Sequence, residues 1–114
     1  MRGLLGAVLA LTVAALTVMS ASFGAQAAGP SFNCKHAKKG AERMVCSSEE
    51  LSALDLELVG LYGRTQIELP KWDALAAKKE QRDWLLDRDA CGPAFECISN
   101  SYHERIQELR NWLH

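Results

Sequence analysis

The chain has 114 residues, and its charge is unevenly spread: Met1 to Ala27 holds one charged residue, Arg2, while the 87 residues from Ala28 to His114 hold 12 basic and 14 acidic ones. With histidine neutral the second stretch carries a formal charge of −2, which excludes the basic footprint of a nucleic-acid binder. It is too short for two domains, yet its 37 apolar residues, seven of them aromatic, are enough to bury a core and exclude a disordered chain.

Met1-Arg2-Gly3 is a short positive start, Leu4 to Val18 is an uncharged apolar run, and small residues follow up to Ala25-Gln26-Ala27. This is the three-part plan of a secretory signal, with cleavage expected after Ala27. An uncleaved anchor would continue in Leu and Ile, whereas the later half of this stretch is Ser, Gly, Ala and Gln. A lipoprotein would need a Cys at the cleavage point. The first one is Cys34, behind Ser31-Phe32-Asn33. The expectation is therefore a cleaved signal over residues 1–27 and a single domain over 28–114, found in the periplasm or secreted, with no membrane anchor after cleavage.

Along the exported part, Ala41 to Cys46 reads as one or two helical turns. Ser47-Ser48-Glu49-Glu50 then starts a long helix, with Ser47 as cap and Glu50 completing a capping box. Leu51, Leu54, Leu58, Leu61 and Thr65 follow at helical spacing, and Pro70 closes the helix. A second helix is expected from about Trp72 to Ala90, with a weaker stripe of Leu75, Ala77, Trp84 and Leu85, stopped by Gly92-Pro93. A third runs from about Ala94 to Trp112, with Phe95, Ile98, Tyr102, Ile106, Leu109 and Leu113 on one face. Period-two runs of β-branched residues are absent. The sequence predicts an all-α fold: a small disulfide-stapled bundle of three main helices behind a short N-terminal helical turn.

Four cysteines, Cys34, Cys46, Cys91 and Cys97, lie in the exported part, and an even count in a short secreted domain reads as a disulfide framework. The short Cys91-Gly-Pro-Ala-Phe-Glu-Cys97 loop favours Cys91–Cys97 and, by elimination, Cys34–Cys46; the crossed pairings stay open. Cys34 and His36 lie close together, but the spacing matches no zinc arrangement, so neither metal nor cofactor is expected.

Asp55 lies four residues after Leu51 and three before Leu58, on their face. A carboxylate facing a core needs a partner, and Arg88 and Arg105 are the candidates for a structural ion pair.

The residues then spell a wider pattern. Ser31-Phe32-Asn33-Cys34 leads to Ala41-Glu42-Arg43 and Cys46, then to Leu51-x-x-Leu54-Asp55-x-x-Leu58 and Tyr62. Further on come Gln81-Arg82-Asp83-Trp84-Leu85, Arg88-Asp89-Ala90-Cys91, Cys97 and Tyr102-x-x-Arg105-Ile106-x-x-Leu109. This resembles the LprI-like lysozyme-inhibitor N-terminal domain family, formerly a domain of unknown function, over nearly all of the exported part. The resemblance implies a helical, disulfide-stapled bacterial envelope domain and, in one branch, binding and inhibition of lysozyme. It assigns no residue to a partner contact.

No catalytic constellation stands out. His36, His103 and His114 lie in separate segments; Asp83, Asp87 and Asp89 read as charges on an exposed helix and its end. Trp84 sits at core spacing, whereas Trp72, just after Pro70, is expected to be exposed, and Lys35, Lys38, Lys39 and Arg43 read as a solvated face. The sequence thus points away from an enzyme and toward a monomer that binds a protein partner, lysozyme being the one the resemblance names. The other reading is a structural or accessory envelope domain without inhibitory activity. The elements best placed to enter a partner's cleft are the Leu69 to Asp73 turn and the Gly92 to Glu96 loop.

Overall fold

The structure, a computed structural model, describes residues 29–114 and four isolated positions before them; the expected signal and its cleavage point lie outside this stretch. A 3₁₀ turn over Cys34–His36 precedes four helices: α1 (Gly40–Ser47), α2 (Glu49–Glu68), α3 (Lys71–Ala90) and α4 (Phe95–Trp112). The fold is all-α, with no strand among the described residues.

Helix α2 begins one residue later than its sequence suggests. Helix α1 runs through Ser47, whose hydroxyl donates to the Met44 carbonyl, so the extended residue that a cap requires is Ser48. The Ser48 Oγ accepts from the Leu51 amide at 3.2 Å. Leu51 cannot return the bond as Glu would, so no capping box forms. Glu49 and Glu50 in the first turn still favour the positive end of the helix dipole.

Leu51, Leu54 and Leu58 of α2 pack with Ile98, Tyr102, Ile106 and Leu109 of α4, and Ala41 and Val45 of α1 join the same core. The most extensive packing is between α2 and α4, and α3 lies against both. It runs antiparallel to each: Gln66, near the end of α2, bonds the Ala74 carbonyl near the start of α3, and Trp84 and Arg105 pair α3 with α4 in reversed order.

The stripe expected on α3 is corrected. Its buried face is Ala77, Gln81, Trp84 and Arg88, while Leu75 and Leu85 are 46% and 37% exposed. The four positions follow helical spacing, but two of them are polar, so a search for apolar periodicity finds Ala77 and Trp84 and passes over Gln81 and Arg88. At the C-terminus of α3, Gly92 takes a φ of 58°, the left-handed conformation that lets the chain turn into α4. The start of α1 meets this turn closely, since a side chain at Gly40 would lie 3.2 Å from Pro93.

Two disulfides, Cys34–Cys46 and Cys91–Cys97, fasten the segment 29–39 ahead of α1 (the leader) to α1 and the end of α3 to α4, and no described cysteine is free. This is the favoured pairing. It indicates an oxidising environment, and no helix among the described residues is long and apolar enough to cross a membrane.

Candidate functional site

Asp55 is buried, as its spacing predicts, but the expected ion pair does not form. Its Oδ1 accepts from the Tyr102 hydroxyl at 2.8 Å and its Oδ2 from the Ser31 backbone amide at 2.7 Å. Arg88 reaches Asp55 only through Tyr102, donating to that hydroxyl at 3.2 Å while its Nε and Nη2 hold Asp89. Lys39 closes the chain at the other Asp89 oxygen, 2.9 Å away. Arg105 turns elsewhere, to Gln81, Glu80, Glu108 and the Ala77 carbonyl. The physical reason is that a tyrosine hydroxyl, which both donates and accepts, fits between carboxylate and guanidinium, and the leader's amide saturates the second oxygen.

This relay joins the leader, α2, α3 and α4. The Arg88 guanidinium also lies 5.8 Å from the Phe32 ring centre and 5.6 Å from that of Trp84, and Trp84 meets Tyr102 edge-on at 5.0 Å. For Asp89, burial works against ionisation, but the hydrogen bonds from Arg88 and Lys39 outweigh it and hold the carboxyl below its ordinary range.

Burial pushes the Tyr102 hydroxyl well above its ordinary value; the Arg88 charge opposes this and the Asp55 carboxylate adds to it. In the unfolded chain the same group titrates near 10.0, so above that pH the unfolded state sheds a proton that the folded state keeps. Stability from this site is whole below that value and is lost as pH rises past it. The denaturation midpoint should therefore fall between about pH 9 and about pH 11, and Tyr102→Phe should flatten that fall. Urea titrations of both proteins across the range check it; equal slopes would disprove the coupling.

Two grooves flank α3. One, of about 530 Å³, lies between α2 and α3, with Trp84 and Leu58 in its wall and Phe32 and His36 of the leader at one end. The other, of about 510 Å³, lies between α3 and α4 and gathers Glu80, Asp83, Asp87 and Glu108 beside Trp84 and Trp112. Asp83 and Asp87 thus share a groove, whereas Asp89 belongs to the relay. Asp83 is an exposed carboxylate, held below its ordinary range by the Lys79 hydrogen bond at 2.8 Å and the Lys79 charge. His103 and His114 are exposed and apart from His36, and no cluster of His, Cys, Asp or Glu suited to a metal occurs among the described residues. Of the basic residues, Lys39 is tied to Asp89 and Arg43 to the Ala37 carbonyl.

The two elements expected to meet a partner differ sharply. The α2–α3 tip projects apolar side chains: Ile67 is 85% and Trp72 77% exposed, with the Lys71 ammonium 5.5 Å from the Trp72 ring centre. The Gly92 to Glu96 loop is tied down by Cys91–Cys97, with Phe95 packed on the core while Pro93, Ala94 and Glu96 stay exposed. The spacing pointed to the tip through Pro70. It carried no sign of the Ser31 amide, the Tyr102 hydroxyl or Gln81, because an amide leaves no mark on a side-chain pattern and a tyrosine counts as apolar in a stripe. Compared with known proteins, the chain matches no protein family, no curated protein and no solved structure.

Proposed function

We propose that this chain is an exported helical module of the LprI-like lysozyme-inhibitor kind, which presents its α2–α3 tip to the cleft of a protein partner. The observation that carries the reading is the exposure of Ile67 and Trp72 on an otherwise stapled scaffold. A large apolar pair held out on a rigid turn loses little entropy on docking, and tryptophan is prominent among the residues that dominate interfaces. The sequence resemblance supplies lysozyme as the partner, and two disulfides suit the envelope compartment in which the two would meet. The acidic α3–α4 groove gives a basic target a complementary face.

The test is a titration of the oxidised exported protein into lysozyme acting on cell walls. Lysis should fall to a saturating minimum, and the double variant Ile67→Ser, Trp72→Ala should need on the order of thirtyfold more protein at an unchanged thermal midpoint. Full lytic activity at excess protein would sink the proposal and leave the accessory envelope domain.

A further inference from the structure

We infer that the groove between α2 and α3 is a second binding site, shaped for a neutral apolar peptide segment whose backbone carbonyl is received by Gln81. The groove measures about 530 Å³, and its apolar lining is Leu58, Val59 and Tyr62 from α2 and Trp84 and Leu85 from α3, with Glu42 of α1 and His36 at its polar margin. Val59 and Leu85 stand 41% and 37% exposed along it, an apolar rim without cover. Burying such walls under a side chain is favourable in proportion to the area removed from water.

Gln81 provides the second, independent sign. It is only 8% exposed, and its Oε1 accepts from Arg105 Nε at 3.0 Å, which fixes the orientation of the planar amide. Its Nε2 then has no hydrogen-bond partner among the described residues. Every fully buried side-chain nitrogen and oxygen in the described residues is partnered, so this nitrogen is one that solvent still reaches, and the residue lines the groove. A half-desolvated donor beside an apolar wall is satisfied by an incoming acceptor oxygen.

Charge narrows the occupant. Asp55 and Arg88 border the groove, but each is already engaged, Asp55 by Ser31 and Tyr102 and Arg88 by Asp89 and Tyr102. An anionic ligand meets the Glu42 carboxylate on the rim and an Arg88 that is already spent, and it loses hydration on entering. A bare lipid chain would fill the walls and leave Gln81 without an acceptor. An uncharged peptide segment supplies both parts, an apolar side chain for Trp84 and Leu85 and a carbonyl for Gln81, a few bonds apart. This site is separate from the α2–α3 tip, so the outcome with lysozyme does not decide it.

The experiment is an NMR titration of the oxidised, ¹⁵N-labelled protein with the blocked dipeptide N-acetyl-phenylalanyl-leucinamide. Saturable shifts are expected at the Gln81 side-chain amide, the Trp84 indole and the Val59 and Leu85 amides. Gln81→Glu keeps the acceptor for Arg105 and removes the free donor, so it should weaken binding about tenfold with no drop in thermal midpoint. Trp72→Ala should leave binding as it was. Absence of saturable shifts in the groove would overturn the inference, as would a response to decanoate alone, which assigns the groove to a lipid chain. Shifts that follow protein concentration instead of the probe would overturn it too, in favour of a second copy.

Discussion

Reduction of both disulfides is expected to unfold the domain at ambient temperature. Cys34–Cys46 spans a sequence separation of 12 and Cys91–Cys97 one of 6, and on the chain-entropy account such loops contribute about 3 and about 2 kcal/mol. Together they approach the whole net stability, about 5 kcal/mol, that a core of this size supplies. The first bridge does more than restrict the unfolded chain. The 3₁₀ turn that contains Cys34 buries none of its own residues, so the bridge is what fastens that turn to α1. The leader brings the Ser31 amide to Asp55 and the Phe32 ring to Arg88. Cys34→Ala with Cys46→Ala should therefore cost more than Cys91→Ala with Cys97→Ala, by the closure difference plus the buried carboxylate oxygen left without its donor. Thermal melts followed by circular dichroism, with and without reductant, test this. A cooperative transition that survives reduction within a few degrees would show that the core stands without its staples.

Where the sequence was readable, one kind of contact decided the structure; where it was not, several segments did. The α2 stripe of Leu51, Leu54 and Leu58 is buried as its spacing demands, because apolar area alone settles that face. Asp55 was placed on the buried side by the same count. Its partners were not, since they come from the leader, α4 and, at one remove, α3, and a carboxylate has no preference between an arginine and a tyrosine hydroxyl that period or charge can reveal. On α3 the pattern misled for a definite reason: Gln81 and Arg88 occupy the inward face, and Leu86, 66% exposed, occupies the outward one. The disulfide pairing was legible because the short Cys91–Cys97 loop favours one bridge and elimination leaves the other. The groove beside Gln81 draws on the leader and three helices, and no single stretch of sequence outlines it.

Arg105→Ala should destabilise the domain by about 3–5 kcal/mol, more than any other single side-chain truncation in it. The residue is 1% exposed, and its guanidinium is held at four points: Gln81 Oε1 at 3.0 Å, the Ala77 carbonyl at 3.2 Å, Glu80 at 3.3 Å and Glu108 at 2.9 Å. These contacts do not weigh equally. Glu80 and Glu108 have side chains 48% and 61% exposed, so on losing Arg105 they return to water, and that half of the network contributes little. The cost lies at the buried end. Gln81 loses the donor for its carbonyl in a site that water barely reaches, and the small Ala77 cannot fill the space that the arginine stem leaves. A graded series separates these contributions. Arg105→Met restores the volume without the charge and should cost about 1–2 kcal/mol. Arg105→Lys keeps the charge but cannot serve Gln81, Ala77 and two carboxylates from one ammonium, and should fall between Met and Ala. Glu80→Ala should cost less than about 1 kcal/mol, as an exposed partner does. Urea denaturation midpoints of the four variants give the order. If Glu80→Ala matches Arg105→Ala, the ion pairs hold α3 to α4; if the midpoints descend from Glu80→Ala through Arg105→Met and Arg105→Lys to Arg105→Ala, buried volume and the Gln81 bond hold it, which is the order the burial of each group requires.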